Sequence, residues 1–163
     1  MADPQIFQHH LLLQAFVATL CGGLIGAERQ LRGKPAGLRT SIIVCLGAAT
    51  FVGLGEAADL GVSTADPARV LGQVVVGVGF LGAGTIMNRG DSVTGLTSAA
   101  VLWMLAAIGS AIGLGRYAHG ALLTGWTLAT LVGIEFAERH VAKLRQGAHS
   151  WERIANGTDD TDP

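Results

Sequence analysis

Five stretches of this chain are apolar on nearly every side: His10 to Gly26, Leu38 to Ala57, Val70 to Met87, Gly95 to Gly115 and Tyr117 to Phe136. A helix of about 20 residues rises roughly 30 Å, the depth of a bilayer's hydrocarbon layer, and the first and third stretches sit at the short end of that range. Core helices of a soluble domain would carry a polar stripe, whereas here Gln14 and Gln73 are the main polar interruptions. In hydrocarbon a backbone has no water to bond to, so it satisfies its own amides by coiling. The chain therefore reads as all-α: a polytopic helical membrane protein with five transmembrane helices.

The basic residues give such a bundle a direction. Arg29, Arg32, Lys34, Arg39, Arg89, Arg139, Lys143, Arg145 and Arg153 fall on one side of the five spans, and only Arg69 and Arg116 on the other. The positive-inside rule puts the richer side in the cytoplasm, with the N-terminus out and the C-terminus in. This sorting sets the expected organisation: an extracytoplasmic segment at 1–9, a five-helix membrane domain at 10–136, an amphipathic cytoplasmic tail at 137–155 and a disordered tail at 156–163. The amphipathic segment rests on Val141, Leu144, Ala148 and Trp151 at helical spacing among basic residues, and a plain continuation of helix five is its alternative. No lysine or arginine precedes the first apolar run, so the basic start of a cleavable signal is missing and the first helix is expected to stay.

Composition excludes several classes. With a formal net charge of −1 and no basic run interleaved with aromatics, nucleic acid is not an expected partner. Cys21 and Cys45 both lie in apolar runs and read as reduced, buried small hydrophobes. No Ser-His-Asp set, Cys-His pair or metal-ligand cluster can be assembled, so catalysis and a cofactor are not expected. Whether the chain holds a metal stays open at this level.

The segment Gly77 to Gly84, GVGFLGAG, begins with Gly-x-Gly-x-x-Gly, the spacing of a dinucleotide loop. That fingerprint needs a strand before it and a helix after it, and an apolar run offers neither. On a helix, Gly72, Gly79 and Ala83 cluster on one side and Gln73, Gly77 and Gly84 on another. Small residues let neighbouring backbones approach, a main source of helix association in lipid. Gln73, Gly77, Gly79, Gly82 and Gly84 are therefore expected to serve helix packing, with helix three central, or to line a pathway if the helix is broken. Gly22 with Gly26 and Gly109 with Gly113 repeat the small-xxx-small spacing.

Charged groups sit at the rims. Glu28, Arg29, Arg39 and Asp91 mark an expected cytoplasmic partner face, and Asp66 with Arg69 an outer polar cluster. Rim carboxylates could hold a hydrated Mg²⁺ loosely, though solvated or salt-bridged carboxylates are commoner. Asp66 followed by Pro67 reads as the N-cap and first position of helix three.

Taken together, Gly22-Gly-Leu-Ile-Gly26-Ala-Glu28-Arg29, Pro35-Ala-Gly-Leu-Arg39-Thr40, Asp66-Pro-Ala-Arg69 through Gly77 to Gly84, and Gly95-Leu-Thr-Ser-Ala-Ala100 with Trp103 closely resemble the MgtC/SapB family over roughly residues 10–136. The resemblance implies a multi-pass protein of the bacterial inner membrane linked to magnesium limitation and, in pathogens, to virulence. It implies a regulator that restrains the F-type ATP synthase, in a short form without the cytoplasmic C-terminal domain of many relatives. The leading expectation is a non-enzymatic protein, in a homo-oligomer, that modulates a membrane partner. The alternative is a transporter or channel for a small ion or solute, formed by an oligomer.

Overall fold

The computed structural model of the chain describes residues 4–57, 67–89 and 92–155, with side chains described within 9–56, 68–88 and 93–137. Five helices appear in order: α1 (Pro4–Leu31), α2 (Leu38–Ala57), α3 (Pro67–Thr85), α4 (Leu96–Gly113) and α5 (Tyr117–Ala155). A short hairpin of β1 (Met87–Arg89) and β2 (Ser92–Thr94) joins α3 to α4, with Asn88 opposite Val93. All five helices contain a segment long and apolar enough to cross a bilayer, from His9–Leu31 to Tyr117–Ala137. The all-α, five-span reading holds.

The described helices divide between two compact units, split after Leu128. In the second unit the backbone stays helical through Ala155, so helix five continues into the segment read as an amphipathic tail. The side chains of 138–155 and the tail 156–163 lie outside the described residues.

In the first unit α2 is gripped from two sides by glycine pairs. A Cβ on Gly22 of α1 would lie 2.8 Å from the Ser41 carbonyl oxygen, and one on Gly26 would lie 2.7 Å from Leu38 Cα. From α4, Gly109 rides against the Cys45 carbonyl, and a Cβ on Gly113 would come within 2.5 Å of the Ala49 oxygen. Bare backbone is thus the only surface that fits, as both sequence spacings predicted. Cys21 and Cys45 are buried free thiols.

Helices α2 and α4, not α3, form the centre. Each packs on the other three of α1–α4, and Leu102, Leu105, Ile108 and Ile112 along α4 are fully buried. Helix α3 runs unbroken from Pro67 to Thr85, beginning at the proline as predicted, while Asp66 lies outside the described residues. Its glycine faces are largely open: Gly72, Gly77, Gly79 and Gly84 have nothing within 4 Å, and only Gly82 meets a neighbour, with a Cβ there 3.6 Å from Ala99. Small-residue spacing identifies a face that backbones could approach, but not which helix comes, and in this chain α2 takes the glycine contacts instead.

Both turns that end α1 and α4 use glycine in the left-handed region. Gly33 (φ +62°) donates to Gln30 while Lys34 donates back to Arg29; Gly115 (φ +70°) and Arg116 do the same to Ile112 and Ala111. This pair of bonds satisfies carbonyls that a helix end would otherwise leave bare.

Candidate functional site

Where α1 ends, α2 starts, α3 ends and α4 starts, the polar groups of this bundle gather. Arg29, in the last turn of α1, is 3% exposed. Its Nη2 donates to Ser98 Oγ at 3.3 Å, and Ser98 is itself buried in the first turn of α4. Glu28 Oε2 lies 3.9 Å from Arg29 Nη1, and Glu28 Oε1 lies 2.8 Å from Arg32 Nε on the solvent side. A buried guanidinium persists only when it is paired and hydrogen-bonded. The C-terminal end of α1 adds its own attraction for the cation, about 0.3–1 kcal/mol.

The adjoining loop is fastened by side chains. Gln30 Oε1 accepts the Leu38 N–H at 3.3 Å, covering one of the free donors at the start of α2. Ser41 Oγ donates to the Ala36 carbonyl at 3.4 Å. Ala36 holds φ +59° without being glycine, a conformation that costs about 1–2 kcal/mol. Such strain persists where surrounding contacts over-determine the backbone. On the α3 side, Gly95 (φ +92°) lets the start of α4 lie directly against the Thr85 carbonyl, where any Cβ would collide.

This geometry corrects the expected partner face. Arg29 is buried and ties α1 to α4 through Ser98, while Glu28, its side chain 10% exposed, pairs with its near neighbours Arg29 and Arg32. Arg39 is exposed, as is Lys34, while Asp91 lies outside the described residues. At the other end Arg69 is exposed and Asp66 is outside the described residues. Gln73 is exposed on α3 and, among the described residues, makes no hydrogen bond. It borders an apolar groove of about 640 Å³ between α2 and α3, beside Gly47, Phe51 and Gly77. Among the described residues no three or more His, Cys, Asp or Glu side chains come together as a metal site.

Sequence reasoning missed Ser98, Gln30 and Arg32 as members of this cluster. A usable signal existed for Ser98: in an up-and-down bundle the first turn of α4 lies at the same end as the last turn of α1, so a hydroxyl there is within reach of a rim arginine. Gln14 was also undervalued. Its Nε2 donates to the Gly113 carbonyl at 3.0 Å, and its amide oxygen lies against Gly53, so it joins α1, α2 and α4.

Five apolar spans, three of them joined by glycine seams, with ionised groups near the span ends, define a multi-pass helical membrane protein. The model described as the MgtC family matches residues 15–140, and the chain belongs to that family. It is 42% identical over 151 residues to YhiD of Escherichia coli K12, whose name marks it as a candidate magnesium transporter, covering 90% of this chain and 69% of YhiD. It is 39% identical over 151 residues to protein MgtC of Salmonella typhi (93% of this chain, 64% of MgtC). Against protein MgtC of Brucella abortus 2308 it is 48% identical over 112 residues (69% and 46%). The matched region thus spans about two thirds of YhiD and Salmonella MgtC and under half of Brucella MgtC. No solved structure matches the chain.

Proposed function

We propose that this chain is a non-enzymatic regulator in the bacterial inner membrane, N-terminus out and C-terminus in, that acts on a membrane partner through the loop end of its bundle. Arg39 carries the reading. It lies in the first turn of α2, exposed, where the positive end of the helix makes a cation unfavourable by about 0.3–1 kcal/mol. A residue that weakens its own helix has its use elsewhere, and with Lys34 it forms an open cationic rim above the buried Arg29–Ser98 tie. The family resemblance supports the F-type ATP synthase as the partner, and the name of YhiD supports a link with magnesium.

The unbroken α3 favours this reading over a transporter built on an interrupted helix. The test is capture of partners from native membranes, together with ATP synthesis by inverted vesicles carrying wild type or the Lys34→Gln/Arg39→Gln double variant. Wild type is expected to capture the synthase and lower ATP synthesis, and the double variant to lose both. Absence of any captured partner and of any effect sinks the proposal. Mg²⁺ flux into liposomes above that of empty vesicles would favour the transporter.

A further inference from the structure

A second groove opens at the other end of the bundle, between α3, α4 and the start of α5, with a volume of about 370 Å³. Its floor exists because α4 presents small side chains there: Ala106, Ala107, Ser110 and Ala111. Val75 of α3, Trp103 of α4 and Leu123 of α5 wall it. At its mouth stand Arg116 and His119, both exposed, and among the described residues neither side chain has an ion-pair or hydrogen-bond partner.

The dimensions select the occupant. From Leu114 to Trp103 the groove follows α4 for about 16 Å at 1.5 Å per residue, close to half of the roughly 30 Å hydrocarbon layer. A fatty acyl chain occupies one leaflet, so a groove of this length matches a single chain. The charge selects the headgroup. Only Arg69 and Arg116, of eleven lysines and arginines, belong to this end of the five spans. Arg116 therefore stands apart from the basic excess at the opposite end, in the short turn between the spans that end at Gly113 and begin at Tyr117.

We propose that this groove binds one anionic phospholipid, its acyl chain along Ala107 and Ala111 and its phosphate on Arg116 and His119. The guanidinium and the imidazole N–H donate to the two unesterified phosphate oxygens. The site differs from ordinary lipid contact in retaining its occupant through extraction and in choosing by headgroup charge.

The test is native mass spectrometry of the full chain in detergent, loaded with phosphatidylglycerol or phosphatidylcholine bearing the same acyl chains. Wild type should keep one phosphatidylglycerol about fivefold better than phosphatidylcholine, the preference that one cation near a membrane surface supplies. Arg116→Gln/His119→Gln, which leaves the core untouched, should bring phosphatidylglycerol down to the phosphatidylcholine level. Ala107→Phe, or the milder Ala111→Leu if the first does not elute as a folded species, should lose both lipids. Equal retention of the two lipids by wild type overturns the proposal, as does unchanged phosphatidylglycerol retention in the double variant. A change of oligomeric mass on filling the groove, with lipid retention intact, assigns it to a second copy and overturns it equally.

Discussion

Arg29 and Ser98, 69 positions apart in sequence, meet at 3.3 Å inside the bundle and tie the last turn of α1 to the first turn of α4. Removing the guanidinium leaves Glu28 paired with Arg32 at 2.8 Å but deletes the tie between the helices and empties a buried site, and truncating a large buried side chain to alanine costs about 2–5 kcal/mol. Arg29→Ala should therefore lower the unfolding midpoint in detergent more than Ser98→Ala, which forfeits a hydrogen bond to a charged group worth about 1.5–3 kcal/mol. Arg29→Met, which refills the volume, should recover much of the loss. Equal midpoints for wild type and Arg29→Ala would show that the tie contributes nothing.

The glycines divide into two classes that a single alanine scan in detergent separates. Gly109→Ala forces a methyl group onto the Cys45 carbonyl, and Gly26→Ala puts one 2.7 Å from Leu38 Cα. Overpacking of this kind costs about 1–3 kcal/mol. Gly79→Ala meets nothing within 4 Å and should stabilise α3 by up to about 1 kcal/mol through helix propensity. A larger loss at Gly79 than at Gly109 would mean that another chain covers α3.

Two glycines with positive φ should respond unequally. Gly33→Ala has open space around it, so only the left-handed conformation of about 1–2 kcal/mol opposes the change. Gly95→Ala adds a collision with the Thr85 carbonyl. Thermal melts of the two variants should rank Gly95→Ala clearly lower; the reverse order would contradict the approach of α3 to α4.

Gln14 bonds to Gly113 across α1 and α4 at 3.0 Å. Double-mutant cycles on such bonds within membranes average about 0.6 kcal/mol. Gln14→Ala should therefore cost little more than that plus its lost packing, and Gln73→Ala, at an exposed site with no hydrogen-bond partner among the described residues, should cost nothing measurable in the detergent-solubilised chain.

The spans were legible because hydrocarbon leaves so few options: apolar length, Pro67 at a helix start and the Gly22/Gly26 and Gly109/Gly113 spacings all act locally, and the structure uses each of them. The prominence of α3 was misread because its glycines report a permissive surface and are silent about the neighbour. Glu28 and Arg29 were misread for a related reason. They follow directly on an apolar run, which looks like a rim, and the long-range approach of Ser98 that covers Arg29 leaves no local trace. Gln14 and Gln73 look alike in sequence, yet one meets a carbonyl on α4 and the other does not.

The two glycine seams along α2 also govern how this membrane domain can deform. At Gly22, Gly26, Gly109 and Gly113, α2 meets its neighbours through main-chain and Cβ atoms alone, with no long side chain between to act as a bearing. Sliding or rolling of α2 against α1 or α4 would therefore drive carbonyls and Cβ atoms into one another, so these two seams resist shear.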